Sequence, residues 1–274
     1  MQNKRVTGKE QYYTPVDTAS QCVNILRGLV ETSGKTWLEP AGGTGAFLDA
    51  IRSSGVDDNK IVSFDIEPKH KLVRKTPDFL QENLSNLKDV ITITNPPFGR
   101  ANKLSVPFFN KCADVSDVIA FIVPKSWRKW SVQNRLHPNF HLIYDTELVV
   151  DYIEPEEKER SKGKLATVFQ IWERREQVRP KIKVENRGYI EKTSPTDANV
   201  CVTVFGRGCG KVETDFQREP NTTKMFLRAK NAEVISALQN VDYSQFYNNV
   251  AFVEALSIQE IMFLLNEHFD GLGA

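Results

Sequence analysis

Four short stretches carry side chains suited to holding a ligand and acting on it. The first is Leu38-Glu39-Pro40-Ala41-Gly42-Gly43-Thr44-Gly45-Ala46-Phe47, between an apolar run expected as a strand and an expected helix. Its glycines let the backbone turn tightly and approach a ligand with no Cβ in the way. The helix start behind them offers N–H groups to an anionic or polar ligand. No Gly-Lys-Ser/Thr follows, so this is not a Walker-type phosphate cradle. The second is Ser63-Phe64-Asp65-Ile66-Glu67-Pro68. An acid at the carboxyl end of a strand is placed to accept hydrogen bonds from ribose hydroxyls; a solvated loop carboxylate is the plainer reading. The third, Asp78-Phe79, joins an acceptor to an aromatic face and would suit an adenine ring, or else is a turn aspartate beside a core phenylalanine. The fourth is Asn95-Pro96-Pro97-Phe98. Two prolines fix the backbone and remove two N–H donors, leaving carbonyls and the Asn95 amide oxygen as acceptors. Such a cluster suits an exocyclic amino group, with Phe98 as a stacking surface for a planar base; a rigid turn with a packed Phe is the alternative.

These stretches need elements to hold them. Apolar runs at Thr36–Glu39, Lys60–Ile66, Val90–Thr94 and Val118–Val123 read as buried strands. Helical spacing at Ser20–Leu29 and Ala46–Arg52 alternates with the first of them. Strands separated by helices imply a parallel, doubly wound α/β sheet covered on both faces. Leu148–Ile153 and Ala166–Trp172 flank the charged stretch Glu154–Lys164 and are expected as a closing antiparallel pair around an exposed loop. Beyond Arg175 the pattern changes. Lys181–Glu185, Val200–Phe205 and Met225–Ala229 read as strands, and Ala232–Gln239 and Ser257–Phe269 as helices, the last opened by a capping box from Ser257 to Glu260. The expected organisation is a larger α/β domain over residues 1–175 and a smaller α+β unit over 176–274.

Taken in order, Tyr13-Thr14-Pro15, Glu39–Phe47, Asp65–Pro68, Asp78-Phe79 and Asn95–Phe98 resemble the S-adenosylmethionine-dependent N6-adenine DNA methyltransferases. The likeness is to their γ arrangement, in which the cofactor motif precedes the catalytic motif and the recognition region comes last. It covers about residues 11–175, and Val168–Trp172 is similar to the closing strand of that Rossmann-like methyltransferase fold. The resemblance implies that Tyr13 and Thr14 hold the methionine part of the cofactor. Glu39, Pro40, Ala41 and Gly43 would line its amino and carboxylate groups, Asp65 and Ile66 its ribose, and Asp78 and Phe79 its adenine. Asn95 and the Pro96 carbonyl would accept hydrogen bonds from the target amino group, with Pro97 fixing the turn and Phe98 stacking on the base. Where the family usually has F-x-G in its first loop, this chain has Gly42-Gly43-Thr44-Gly45, a conservative departure.

That chemistry needs no strong base. Adenine N6 is a poor nucleophile because its lone pair is delocalised, and acceptors at Asn95 and Pro96 favour a more tetrahedral nitrogen. Alignment and acceptors that tighten as positive charge develops supply the acceleration. In duplex DNA the target base must leave the stack. No metal is required.

Composition bounds the partners. The chain has 274 residues, 36 Lys+Arg against 35 Asp+Glu, a formal charge of +1 and 40% hydrophobic residues, as expected of a globular protein with a full core. No apolar run approaches the ~20 residues of a membrane span. The polar start Met1–Glu10 carries no secretion or lipidation signal, so a cytoplasmic protein is expected. Cys22, Cys112, Cys201 and Cys209 are widely spaced and do not combine with His70, His137, His141 and His268 at metal-ligand spacing, which fits reduced thiols and no metal. A local basic groove remains compatible with a neutral balance. Pro124–Arg135 has four basic residues, no acidic one and two tryptophans. Lys125, Trp127, Arg128, Lys129 and Trp130 are candidates for phosphate contact and stacking, or for an ordinary helix with buried tryptophans. Arg100 and Lys103 after Phe98, and Arg207 and Lys211 in the loop Phe205–Lys211, are similar candidates. From Glu176 to Ala274 there are 11 Lys+Arg and 13 Asp+Glu, so no broad phosphate footprint exists there.

The expected function is therefore methyl transfer to adenine N6 in DNA, in a restriction–modification pair with an endonuclease or as an orphan modifier. An RNA base methyltransferase and a non-catalytic cofactor-fold subunit are the alternatives. Recognition sequence and oligomeric state are not legible.

Overall fold

The computed structural model describes residues 13–148, 150, 166–217, 223–251 and 253–271. The chain divides into two compact units, where the sequence reading has a single change after residue 175. One unit comprises the chain through Pro124 together with Ser131–Pro180; the other comprises Lys125–Trp130 and the chain from Lys181 onward.

The first unit is built on seven strands. Helix α1 (Val16–Leu29) leads into β1 (Thr36–Glu39), α2 (Ala46–Ser53), β2 (Ile61–Asp65), the short β3 (Arg74–Lys75) and β4 (Val90–Thr94). Helix α3 (Ser105–Cys112), β5 (Ser116–Pro124), α4 (Trp130–Gln133), β6 (Phe140–Leu148) and β7 (Thr167–Arg174) follow. The strand order is β3-β2-β1-β4-β5-β7-β6. Strands β3 to β5 run parallel, while β7 lies antiparallel between β5 and β6. This is a Rossmann-like, mostly parallel α/β sheet with an antiparallel close. Trp37, Ile91, Ile93, Ala120, Ile122, Phe169 and Ile171 meet Leu26, Phe47 and Ile51 of α1 and α2 in one buried cluster. Burying each large side chain there is worth about 1.5–3 kcal/mol.

One expectation changes in this unit. The partner of β7 is Phe140–Leu148, not a strand beginning at Leu148. Its sequence FHLIYDTEL mixes polar and apolar residues because β6 is an edge strand, half-buried along most of its length. The expected exposed loop Glu154–Lys164 lies outside the described residues.

The second unit is a four-stranded antiparallel sheet, order β10-β9-β11-β8, formed by β8 (Ile190–Lys192), β9 (Val200–Thr203), β10 (Val212–Glu213) and β11 (Lys224–Ala229). Helices α5 (Ala232–Asn240) and α7 (Ile258–Gly271), with the short α6 (Ser244–Tyr247) between them, contribute Val234, Leu238, Ile261 and Leu265 to its core. The capping box at α7 is present: Glu260 N–H donates to Ser257 Oγ at 3.3 Å, and Ser257 N–H to Glu260 Oε2 at 2.7 Å. Lys181–Glu185 is not a strand; it is irregular chain with alternating exposure, outside both sheets. No helix among the described residues is long and apolar enough to cross a membrane. The four cysteines are buried and none forms a disulfide.

Candidate active site

The site lies at the carboxyl ends of β1, β2 and β4, where a parallel sheet leaves its loops free to meet a ligand. A pocket there is lined by Tyr13, Thr14, Glu39, Ala41, Gly42, Gly43, Thr44, Ala46, Phe47 and Asn95. Residues brought by three separate segments therefore meet in one place. Gly42, Thr44, Ala46 and Phe47 join those singled out from the sequence.

The glycine-rich turn is shaped by close approach. A Cβ on Gly42 would lie 2.3 Å from Ser63 Oγ and 2.9 Å from a Val73 methyl, so only glycine fits over the end of β2. At Gly45, φ is +89° and a Cβ would fall 2.6 Å from the His70 ring; this left-handed residue ends the turn and caps α2. Gly43 N–H donates to Asp65 Oδ2 at 2.8 Å, and Glu67 N–H to Asp65 Oδ1 at 2.7 Å. Two backbone donors thus fix the Asp65 carboxylate, and each oxygen keeps acceptor capacity for a diol. Tyr13 packs its ring against Gly43 and carries Lys69 Nζ 4.6 Å above its centroid.

Glu39 is the electrostatic centre of the pocket. It is 1% exposed. Burial pushes its carboxyl up to about 8, and the negative Asp65 adds to that, while hydrogen bonds from the Thr94 hydroxyl and the Ala41 N–H oppose it. Neither of these two donors is a cation. A buried carboxyl so raised is neutral over much of the physiological range and gains its charge when a cation arrives. Thr94 is the last residue of β4, and the next residue, Asn95, donates from Nδ2 to Thr14 Oγ1 at 3.1 Å. Glu39, Thr94, Asn95 and Thr14 therefore form a row joining the pocket to the Asn95–Phe98 turn. Thr94 was not singled out from the sequence. Its only local signal is a hydroxyl directly before the Asn-Pro-Pro-Phe stretch.

The two phenylalanines do not stand where the sequence reading put them. Phe79 is 3% exposed, its ring between Phe64 at 5.9 Å and Phe108 at 5.1 Å. It belongs to the core, so it offers no open face to an adenine. Exposed Asp78 caps the following turn by accepting from Leu80 N–H at 2.9 Å. Phe98 is also buried, at 6% exposure, and does not present its ring to solvent. Ile66, by contrast, is 52% exposed beside Asp65, an apolar surface open to a flat ligand. Pro40 and Pro96 are buried and Pro97 half-buried. Asp65, Ile66, Asp78 and Phe79 do not line the pocket itself.

The basic candidates divide. Arg100, Lys103 and Arg207 are exposed. Lys211 is exposed but pairs with Glu213 at 3.0 Å. Trp127 is fully buried, and Trp130 packs edge-on against Phe246 and Phe263 at 5.3 and 5.1 Å. Lys129 is held by the buried Glu260 at 2.9 Å and by the Ala255 carbonyl at 3.0 Å. Lys125 and Arg128 are half-buried and also engaged. Both tryptophans and Lys129 are thus parts of the second unit's packing, which leaves no stacking surface or free phosphate contact at those three positions.

No protein-family description matches the chain, and no curated protein is similar to it. Among solved structures it is similar to a candidate RNA methyltransferase of Pyrococcus horikoshii, with 19% identity over 61% of this chain and 87% of that one, and a TM-score of 0.49. It is also similar to the modification subunit of a candidate type I restriction enzyme from Vibrio vulnificus, with 17% identity over 62% of this chain and 46% of that one, and a TM-score of 0.44. TrmN from Thermus thermophilus shows 14% identity over 58% of this chain and 50% of that one, with a TM-score of 0.42. The chain therefore spans about half of the last two. At such identities the likeness bears on neither substrate nor activity.

Proposed function

We propose that this protein is an S-adenosylmethionine-dependent methyltransferase acting on adenine N6 in DNA. The observation that carries the reading is the pocket at the strand ends, where Thr14, Glu39, the glycine turn and Asn95 converge. Its residues fit the cofactor on two counts. The neutralised, buried Glu39 suits a cationic amino group. Gly42 and Gly43 line the pocket with backbone alone, and the missing Cβ at Gly42 lets that turn close onto Ser63 and Val73.

When bound, S-adenosylmethionine supplies an electrophilic methyl on a sulfonium. The chain's own residues do the rest. Thr14, Glu39, Ala41 and Gly43 hold the methionine end; Asp65, fixed by two N–H groups, accepts from the ribose, and Ile66 covers the purine. Asn95 and the Pro96 carbonyl accept hydrogen bonds from the target amino group, orient its nitrogen, and stabilise the positive charge that develops on it. The prolines hold these acceptors rigid, so little reorganisation is needed during reaction. The target base reaches this turn by leaving the stack. Phe98 stacks on it after turning out of its buried position. The second unit, with its exposed Arg207 loop, serves as the recognition region, and an endonuclease counterpart completes a restriction–modification pair.

Mass spectrometry of nucleosides from cells expressing the wild type or Asn95→Ala tests this. The expected result is N6-methyldeoxyadenosine in DNA that disappears in the variant. A methylated base in RNA alone would keep the mechanism and replace the substrate. No modified base of either kind, with cofactor binding intact, would point to a non-catalytic subunit.

A further inference from the structure

The loop that follows the catalytic turn is held in an unusual backbone conformation. Gly99 has φ +67°, and Ala101 and Asn102 have φ +55° and +59°. Two consecutive non-glycine residues in the left-handed region are disfavoured by contact between Cβ and the backbone and persist only where the surroundings hold them. One side chain fastens two of the loop's carbonyls. Arg135, beyond α4, donates from Nη1 to the Ala101 carbonyl at 3.1 Å and from Nη2 to the Asn102 carbonyl at 3.4 Å. The planar guanidinium fork matches two successive carbonyls in a way that a lysine cannot. The same loop ties down Phe98. The Phe98 carbonyl accepts from Leu104 N–H and Ser105 N–H, both at 3.3 Å, and Asn102 N–H donates to the Gly99 carbonyl at 3.2 Å. A Cβ on Gly99 would fall 2.9 Å from Leu104 Cγ. These bonds fasten the Phe98 backbone to the loop that follows it.

Arg135 is itself exposed and stands in the acid-free basic stretch 124–135. A guanidinium there prefers a phosphate to two neutral carbonyls, because the hydrogen bonds to an anion are charge-assisted. The geometry points to Arg135 as a positioning residue that latches the 99–102 loop with Phe98 buried, and that releases the loop when it takes a phosphate of the nucleic acid. The coupling makes the freedom of the loop that anchors the Phe98 backbone depend on substrate arrival. The release step rests on the nucleic-acid reading above; the latch does not.

Amide hydrogen exchange on the whole protein tests both parts. Without nucleic acid, peptides covering residues 98–105 of Arg135→Gln are expected to exchange about tenfold faster than in the wild type, with the rest of the sheet unchanged. Arg135→Lys, which keeps the charge but not the fork, should fall between. Adding Ala101→Gly to Arg135→Gln should restore part of the protection by removing the Cβ conflict. A mixed-sequence DNA duplex should speed exchange in the same peptides of the wild type and leave Arg135→Gln where it already was. Equal exchange in wild type and both Arg135 variants would overturn the latch. Faster exchange in the variants with no response to DNA would keep the latch and remove the release step. Failure to detect methyl transfer on any substrate would touch neither exchange result. An Arg135→Gln protein that unfolds throughout hands the decision to Arg135→Lys and the duplex experiment.

Discussion

Substituting Glu39 with Gln separates the pocket's stability from its function. A glutamate carboxyl ordinarily ionises near 4.5, and burial moves this one to about 8. Between those values the folded chain holds a proton that the unfolded chain has released. Stability from this group is therefore complete below pH 4.5 and is lost as pH rises through 8, at about 1.4 kcal/mol per pH unit and on the order of 5 kcal/mol in all. From about pH 5.5 to 8.5 the loss is about 3 kcal/mol, or roughly 10 °C in Tm for a domain of this size. Glu39→Gln keeps a carbonyl acceptor for the Thr94 hydroxyl and the Ala41 N–H but does not titrate. Melting curves of both cofactor-free proteins should diverge with pH, the variant being the more stable at about pH 8.5. Other groups titrate alike in the two and cancel.

Cofactor binding should respond in the opposite sense. If a cationic amino group sits against Glu39, the variant should bind S-adenosylmethionine about 10- to 100-fold more weakly, the worth of a hydrogen bond to a charged group. Calorimetric titration at about pH 8.5 measures it. Parallel melting curves would refute the argument that burial dominates the Glu39 carboxyl. Diverging curves with unchanged affinity would keep that argument and remove Glu39 from the methionine site.

Three more outcomes are expected. Asn95→Ala should lower methyl transfer about 100- to 1000-fold, the usual cost of one oriented hydrogen-bond partner of the developing charge, measured at saturating S-adenosylmethionine because Asn95 also lines the pocket. Gly42→Ala should abolish cofactor binding and lower Tm, because its Cβ would overlap Ser63 Oγ; normal binding by this variant would mean the turn is not the cradle. Lys129→Met should destabilise the protein by about 3 kcal/mol by stranding the buried Glu260, read by denaturant unfolding. The salt slope of its nucleic-acid binding should not change, since a phosphate contact would shift that slope by about one.

What the sequence made legible was local. The strands β4 and β5 are rich in apolar residues and buried along nearly their whole length because both faces of a parallel sheet are covered, and their ends and the glycine turn are read within ten residues. Strand β6 escaped because an edge strand half-open to water lacks that signature. The burial of Phe79 depends on Phe64 and Phe108, which no spacing rule brings together. In the same way Trp130 meets Phe246 and Phe263, more than a hundred residues on. An aromatic or basic residue in a promising stretch has two uses, and the choice is made by distant partners. For Asn95 there is less freedom, because the prolines that follow it remove donors wherever the chain lies.

The row from Glu39 to Thr14 has a consequence for how the pocket and the catalytic turn work together. Strands β1 and β4 are neighbours in parallel register, with Leu38 opposite Thr92, so Glu39 and Thr94 end adjacent strands and can share a hydrogen bond. That bond lowers the Glu39 carboxyl against the larger effect of burial, and it tightens when the acid becomes charged, since a carboxylate accepts more strongly than a neutral acid. A cation at Glu39 therefore pulls on the residue immediately before Asn95. Asn95 in turn donates to Thr14 on the other side of the pocket. On the proposed function, filling the methionine end of such a site would draw the Asn95 amide from two directions toward one position before the target base arrives.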